Sequence, residues 1–473
     1  MEIKFFNTLS NKKEIFVPLK ANEVTIYNCG VTVYDRCHLG HARGAINFDV
    51  LRNLLKSLGY KVTYVKNYTD IDDKIIDRAN SLKTTTVKLA DEMIKSHDAD
   101  MESLNISPPD VAPKATEHMA EIIDMIAQLI KKDYAYQTEE GVFFKVRKFN
   151  EYGKLSGKNI DDLLSGIRVE INKIKEDALD FALWKTAKEG EPFWESPWGD
   201  GRPGWHIECS AMSQKYLGKT FDIHAGGSDL IFPHHENELA QSEACHSKPF
   251  VKYWLHNGMI IIDKQKMSKS LGNFALISEL TQKYTPEVIR FFILSTQYRH
   301  TLNFSADGIV SAADGIDRIY RALESYENLF RGEEAAATGE ESEAVKSYRS
   351  RFFQNMSDDL NSPQAIGVLF EITRELNSIN GDNNLALHLK NLLLELGDIL
   401  GILKIKPVEW FQSPRIKTDS TKIDDKEIEQ LISERKIARK GKDFKKADQI
   451  RDKLLKNGVI IEDKDGRTNW KRK

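Results

Sequence analysis

Val24-Thr25-Ile26-Tyr27-Asn28-Cys29-Gly30 reads as a short buried strand running into a loop and then into His38-Leu39-Gly40-His41. The helix expected to open there continues through Ala45-Ile46-Asn47-Phe48-Asp49-Val50-Leu51-Arg52-Asn53-Leu54-Leu55, where apolar residues recur at helical spacing. Gly59 is the expected stop, and Lys61-Val62-Thr63-Tyr64-Val65 is a second strand. A strand-helix-strand unit with polar residues at its strand ends is the building block of an open parallel sheet, which takes ligands along its carboxyl edge. Thr69-Asp70-Ile71-Asp72-Asp73-Lys74 follows and is expected to cap another helix. Its three carboxylates could hold magnesium, but capping and dipole complementarity explain them more simply.

Two segments far apart suggest an anionic ligand. His38 and His41 are three residues apart, so at a helix start they share one face near the positive end of the dipole. Gly40 lets backbone approach a ligand between them. Lys266-Met267-Ser268-Lys269-Ser270 places two ammonium groups in a small, hydroxyl-rich loop that could close over a polyphosphate.

The chain has 473 residues, too many for a single core, so two to four domains are expected. Hydrophobic content of 41% and charged content of 29% read as soluble and globular. No apolar run approaches the ~18 residues that span a bilayer, and the start lacks the features of a signal peptide. Cytoplasmic residence with no membrane partner is the expectation. Four cysteines (29, 37, 209, 245) suggest metal ligands or buried thiols, not a disulfide framework. The net charge of −3 excludes blanket attraction to nucleic acid, but residues 431–473 carry 15 Lys/Arg against 7 Asp/Glu. Such a module is expected to meet an anionic partner.

Residues 118–200 break the alternation. A helix (117–131), a strand (141–147) and an aromatic-rich run with Trp184, Trp194 and Trp198 read as an insertion, because Trp205 to Glu238 resumes polar, site-like chemistry. From Glu279 the pattern turns helical. Residues 331–341 read as an acidic loop, 344–404 as a bundle, 406–425 as a linker with Pro407 and Pro414, and 420–473 as a basic terminal domain. The expected fold class is α/β: a Rossmann-like parallel-sheet domain (1–117 and 201–310) carrying the insertion 118–200, then a helical bundle (311–405) and the small basic C-terminal domain.

Phe232-Pro233-His234-His235-Glu236-Asn237-Glu238 reads as the start of a helix on which His234 and Glu238, at i and i+4, share a face and can ligate one ion. Cys29 and Cys209 could add two thiolates, a set that suits zinc. His235 with Glu238, at i and i+3, would also work. The alternative is a pair of ordinary buried thiols beside a helix cap, and no Cys-x-x-Cys pair occurs.

Taken together, these motifs resemble the cysteinyl-tRNA synthetases, within the class I aminoacyl-tRNA synthetases. The resemblance runs nearly end to end. It is carried by Cys29–Asp35, His38-Leu39-Gly40-His41, Tyr68–Lys74, Gly201–Cys209, His224–Asp229, His234–Glu238 and Lys266–Ser270. One departure is Leu39, where class I enzymes usually have isoleucine, a conservative apolar swap. The resemblance implies one zinc ion on Cys29, Cys209, His234 and Glu238, resolving the choice of imidazole, and assigns Lys269 to ATP.

It further implies that L-cysteine and ATP, with Mg²⁺, form cysteinyl-adenylate, and that the cysteinyl group passes to tRNA-Cys. His38, His41, Lys266 and Lys269 would serve the phosphates. Thr69 and Trp205 would hold the amino acid, and Asp229 the ribose or amine. For Trp205, simple core packing is the competing reading. Zinc gives the discrimination a physical basis. Cysteine and serine are near-isosteres that a cavity separates by only ~1–3 kcal/mol, whereas zinc prefers sulfur to a hydroxyl. Lysines and arginines of the bundle and terminus would meet tRNA phosphates, with Trp470 or Phe444 stacking a base. A monomer is expected. The rival readings are a cysteine ligase that joins activated cysteine to a small amine (mycothiol-type), an inactive tRNA-binding paralogue, and a nucleotidyltransferase sharing only the first histidine signature.

Overall fold

The β-branched and aromatic residues of 24–30 do pair as a strand, and the alternation from strand to helix to strand sets the topology of the amino-terminal half. A computed structural model describes residues 1–159, 174–266, 275–330, 340–379, 382–416, 423–464 and 467–472. It divides into two compact units. One comprises Met1–Leu276, Thr296–Asn303 and Phe353–Ser362, the other Ile277–Ser295, Phe304–Phe352 and Pro363–Lys473.

In chain order the first unit opens with a hairpin, β1 (Lys4–Asn7) and β2 (Lys12–Ile15). Then come β3 (Glu23–Thr32), α1 (Leu39–Ser57), β4 (Lys61–Thr69), α2 (Asp73–Leu82) and α3 (Thr86–Ser103). β3 and β4 pair in parallel, and β3 also pairs in parallel with β9 (Phe221–Gly227), which pairs with β10 (Val251–Asn257). The order β10-β9-β3-β4 places β3 where the chain changes direction across the sheet, the position at which open α/β sheets form a ligand crevice. α1 ends where Gly59 turns left-handed (φ 88), as its sequence predicts. Asp72 caps α2 by accepting from the Lys74 N–H (2.9 Å), so capping accounts for that carboxylate. Asp70 accepts from Thr116, and Asp73 pairs with Lys185 and Arg202.

Between β4 and β9 lies the interruption seen in the sequence. α4 (Met119–Lys131) buries Ile122, Met125, Ile126 and Leu129 against an antiparallel sheet. That sheet is β5 (Ala135–Thr138), β6 (Gly141–Phe144), β7 (Phe181–Thr186) and β8 (Gly201–Pro203) in sequential order. Its last strand therefore lies at 201–203, just past the segment read as an insertion. α5 (Trp205–Leu217), α6 (Glu236–His246) and the hairpin of β11 (Ile260–Ile262) and β12 (Gln265–Lys266) complete this region.

The second unit holds α7 (Ile277–Lys283) and α8 (Pro286–Leu294), followed, past β13 (Leu302–Phe304), by α9 (Ala306–Phe330). The bundle continues with α10 (Glu343–Ser357), α11 (Ser362–Ser378) and α12 (Asn383–Leu400). The leucine set 389, 392, 393, 396 and 400 is buried, as its period requires. Most of the acidic loop, 331–339, lies outside the described residues.

The linker expectation for 406–425 is corrected in part. α13 (Pro407–Gln412) buries Trp410 and Phe411; Trp410 stacks on Tyr320 (4.2 Å, 11°) and donates Nε1–H to Asp317 (2.7 Å). An amphipathic single turn is too short to stand out by periodicity. The terminal module is α14 (Asp425–Lys440), α15 (Phe444–Lys456) and the hairpin β14 (Val459–Lys464) and β15 (Arg467–Arg472). Trp470 is 5% exposed, packed with Ile428, Leu431 and Leu454, and donates to Glu429 (2.6 Å). Trp470 is thus the core of this small domain and is not available to stack a base; Phe444 is 63% exposed.

Candidate active site and metal centre

A cavity of about 400 Å³ opens at the carboxyl ends of β3 and β9, lined by Cys29, His38, His41, Trp205 and Asp229 among others. Five of the residues selected from sequence therefore face one space. His38 is the N-cap of α1 and its Nδ1 accepts from the Gly40 N–H (3.1 Å), while His41 Nδ1 accepts from the His38 N–H (3.3 Å). This is a capping box built from imidazoles, with the two rings stacked at 3.8 Å. Because Nδ1 accepts in each, a neutral ring carries its proton on Nε2 and is a donor there.

Cys29, on the cavity wall, belongs to a thiol–imidazole–carboxylate cluster whose other members are buried. β3 is bulged between Asn28 and Val31, where Cys29 and Gly30 leave the ladder. A Cβ at Gly30 would lie 1.5 Å from the Asn67 carbonyl oxygen, so only glycine lets the strand turn Cys29 inward here. Cys209 comes from the second turn of α5. Glu238 lies in the first turn of α6, and His234 in a π-type turn (Ile231–His235) just before it. The helix thus begins at Glu236 rather than at the Phe-Pro pair, yet the i, i+4 relation survives: His234 Nε2 is 2.9 Å from Glu238 Oε1. Cys29 Sγ is 3.7 Å from Cys209 Sγ, 3.4 Å from His234 Nε2 and 3.3 Å from Glu238 Oε1.

These spacings suit a small tetrahedral ion. Zn–S bonds of about 2.3 Å place two sulfurs about 3.8 Å apart, and sulfur and nitrogen or oxygen about 3.5 Å apart. A second set, Cys29, His224, His235 and Glu238, is equally close-packed, with all ligand atoms in each set within 4.8 Å of one another. It holds one thiol to the first set's two, so the first is the softer and better matched to zinc. Among the described residues no other cluster could hold a metal ion.

Charge reinforces the geometry. Burial, together with Cys209 and Glu238, pushes the Cys29 thiol well up, while donation from Cys29 holds Cys209 down to about 6. Burial pulls His234 down, but Glu238 and Cys209 outweigh it and raise the ring to about 10. The cluster therefore retains protons where a cation fits, and metal binding to such a set releases them.

Around it lies a ring of supporting contacts. His224 Nε2 is 2.9 Å from Glu238 Oε2, His206 Nδ1 is 2.9 Å from His234 Nδ1, and His235 joins His256 (2.7 Å), which meets Thr8 (2.7 Å). Trp205 stacks on His234 (4.2 Å, 25°).

Residues 15–314 match the family described as tRNA synthetases class I (C) catalytic domain, 351–404 a DALR domain, and 425–470 the cysteinyl-tRNA ligase anticodon binding domain. The cysteine--tRNA ligase of Thermodesulfovibrio yellowstonii is 48% identical over 484 residues, covering 99% of both chains. The chain belongs to the class I cysteinyl-tRNA synthetases. The cysteine--tRNA ligase of Geobacter metallireducens, 48% identical over 483 residues, covers 100% of each. The fold is shared with Mycobacterium tuberculosis methionyl-tRNA synthetase in complex with methionyl-adenylate (TM-score 0.58, 14% identity, covering 80% of this chain and 89% of that one). It is also shared with Agrobacterium radiobacter leucyl-tRNA synthetase in a ternary complex (TM-score 0.61, 11% identity, covering 82% and 85%).

Not every residue selected from this synthetase's sequence reaches the cavity. Thr69, at the end of β4, is buried and donates its hydroxyl to Glu208 (3.1 Å). Lys266 is the last residue of β12, and Lys269 lies outside the described residues. Among the described residues no helix is long and apolar enough to cross a membrane. Sequence reasoning missed the supporting histidines 206, 224 and 256, and also Tyr34, Lys66, Lys74 and Asn257, which line the cavity. His206 and His224 lie within stretches that carry the family resemblance, so their position was visible and their role was not. Lys66 carries no local signal beyond alternation on an edge strand.

Proposed function

We propose that this chain activates L-cysteine with ATP, giving cysteinyl-adenylate and pyrophosphate, and transfers the cysteinyl group to the 3′-terminal adenosine of tRNA-Cys with release of AMP. The observation that carries this reading is the two-thiol cluster of Cys29, Cys209, His234 and Glu238, which meets, through Cys29, the cavity that His38 and His41 line. The cysteine carboxylate is already ionised and attacks the α-phosphorus in line, so no protein base is needed. Catalysis is positioning plus charge stabilisation. The Nε2–H groups of His38 and His41 face the phosphates, Lys266 and Lys269 serve the departing pyrophosphate, and Mg²⁺ enters with ATP. Asp229, at the exposed rim, takes ribose or amine.

Cys29, Cys209, His234 and Glu238 hold zinc, which supplies a soft acceptor that prefers sulfur to a hydroxyl. Glu238 is the weakest donor of the four, and His224 orients it. Trp205 fixes the His234 ring by stacking and, lining the cavity, borders the amino acid. Thr69 sits behind, its hydroxyl committed to Glu208. The basic terminal module, with Phe444 exposed on it, meets the anticodon end of the RNA. The chain works as a monomer in the cytoplasm.

Cysteine-dependent ATP–pyrophosphate exchange tests the reading, with serine as control. Cysteine supports exchange, serine does not, a zinc chelator abolishes it and added zinc restores it. Exchange without any transfer to tRNA would instead favour the small-amine ligase, a reading that gives the 425–470 anticodon-domain match no purpose.

A further inference from the structure

A second cavity, of about 330 Å³, lies at the edge of the parallel sheet and belongs to no step proposed above. Two periodicities build it. Ala45, Asp49 and Arg52 share a face of α1 at i, i+4 and i+7, while Tyr64, Lys66 and Tyr68 alternate along β4. α3 closes it with His97, Asp98, Met101 and Glu102, and Ile106 to Pro109 form the lip, where Glu102, Ser107 and Pro108 are exposed.

The walls are largely apolar and flat-sided, set by two tyrosine rings, Met101, Ile106 and two prolines. The acidic groups are committed or peripheral: Asp98 accepts from Tyr68 and pairs with His97 (3.1 Å), Asp49 accepts from the Ser107 N–H (3.2 Å), and Glu102 stands at the mouth. The cations have capacity left. Arg52 is 6% exposed and staples the lip through Pro108 O (2.6 Å) and Asp110 (3.0 Å), but its Nε–H has no partner among the described residues. The Lys66 ammonium meets only His97 Nε2 at 3.4 Å among its hydrogen bonds. Burial, and then Lys66 itself, hold that imidazole neutral in ordinary buffer, so it adds no like charge beside the ammonium; the countercharge facing Lys66 is the Asp98 carboxylate, which is already bound to Tyr68 and His97.

We propose that this cavity binds a small planar carboxylate, its ring between the tyrosines and the proline lip and its carboxylate toward Lys66 and Arg52. Lys66 and Ala45 also line the cavity at the carboxyl edge of the sheet, so an occupant touches the wall that separates the two spaces.

The full chain is titrated with 2-naphthoate by calorimetry and by saturation-transfer NMR. The expected result is one saturable site per chain, retained when a non-hydrolysable cysteinyl-adenylate analogue saturates the other cavity. The neutral 2-naphthalenemethanol binds at least about tenfold more weakly, as loss of charge-assisted hydrogen bonds requires. Lys66→Met produces a similar loss, and Ile106→Trp, which fills the space, removes binding. Absence of saturable binding, displacement by the adenylate analogue, or equal affinity for acid and alcohol would each overturn the proposal. The acid–alcohol comparison uses only the unaltered chain, so it decides the matter even if a variant does not fold.

Discussion

Replacing His224 probes the arrangement around Glu238 without touching a proposed metal ligand. His224 and Glu238 are both fully buried, and His224 Nε2 lies 2.9 Å from Glu238 Oε2 while Oε1 faces Cys29 and His234. His224→Phe keeps an aromatic ring where His224 now stacks on Trp254 (4.6 Å, 13°), so packing is largely conserved. What it removes is the partner of one carboxylate oxygen, leaving Glu238 free to rotate. Outer partners of metal ligands are worth about 10–100-fold in affinity, or about 1.4–2.7 kcal/mol. Zinc affinity, measured by competition with a chromophoric chelator, should fall by that factor. His224→Gln, whose amide can still donate to Oε2, should recover much of it. The shift of melting temperature on adding zinc should shrink for Phe and be nearly restored for Gln. Zinc affinity of His224→Phe within twofold of the unaltered chain, with the fold intact, would refute the reasoning.

Lys269→Ala should depress ATP–pyrophosphate exchange by about 10²–10³-fold while cysteine binding, read by calorimetry, changes little; equal loss of both would contradict a role on pyrophosphate. Trp470→Ala should destabilise the terminal module by about 3–5 kcal/mol in urea unfolding. Phe444→Ala should leave stability within about 0.5 kcal/mol and weaken tRNA binding by about 1–3 kcal/mol in filter assays. His97 is held down to about 4 against an ordinary value of 6.5, first by burial and then by Lys66, so the unfolded chain takes up this proton before the native one. Its contribution to stability is complete above pH 6.5 and is lost as pH falls toward 4, about 2 kcal/mol by pH 5. The loss between pH 7 and 5 should therefore be about 2 kcal/mol smaller in His97→Gln, measured by urea unfolding at both pH values.

Much of the frame is legible in local pattern. The 24–30 strand, the helix from 39 and the 61–65 strand follow from alternation and helical spacing, and both strands extend further because parallel partners on the sheet continue the ladder. The Asp72 cap and the buried leucine face of α12 are equally local. The 407–412 helix and the burial of Trp470 were not legible, because each depends on what a distant segment packs against a single aromatic side chain. An exposed Trp in a basic tail and a buried one have the same local sequence.

The amino-acid order alone determined which chemistry was available: imidazoles three apart at a helix start, a lysine pair in a hydroxyl-rich loop, and His234 four residues before Glu238. Those are contacts within a turn or two, fixed by backbone geometry. Only the tertiary structure decided that Cys29 and Cys209, 180 positions apart, stand 3.7 Å from each other, and that His224 meets the far oxygen of Glu238. Such proximity is set by how the sheet and its helices pack, a sum over many buried side chains that no short stretch of sequence carries.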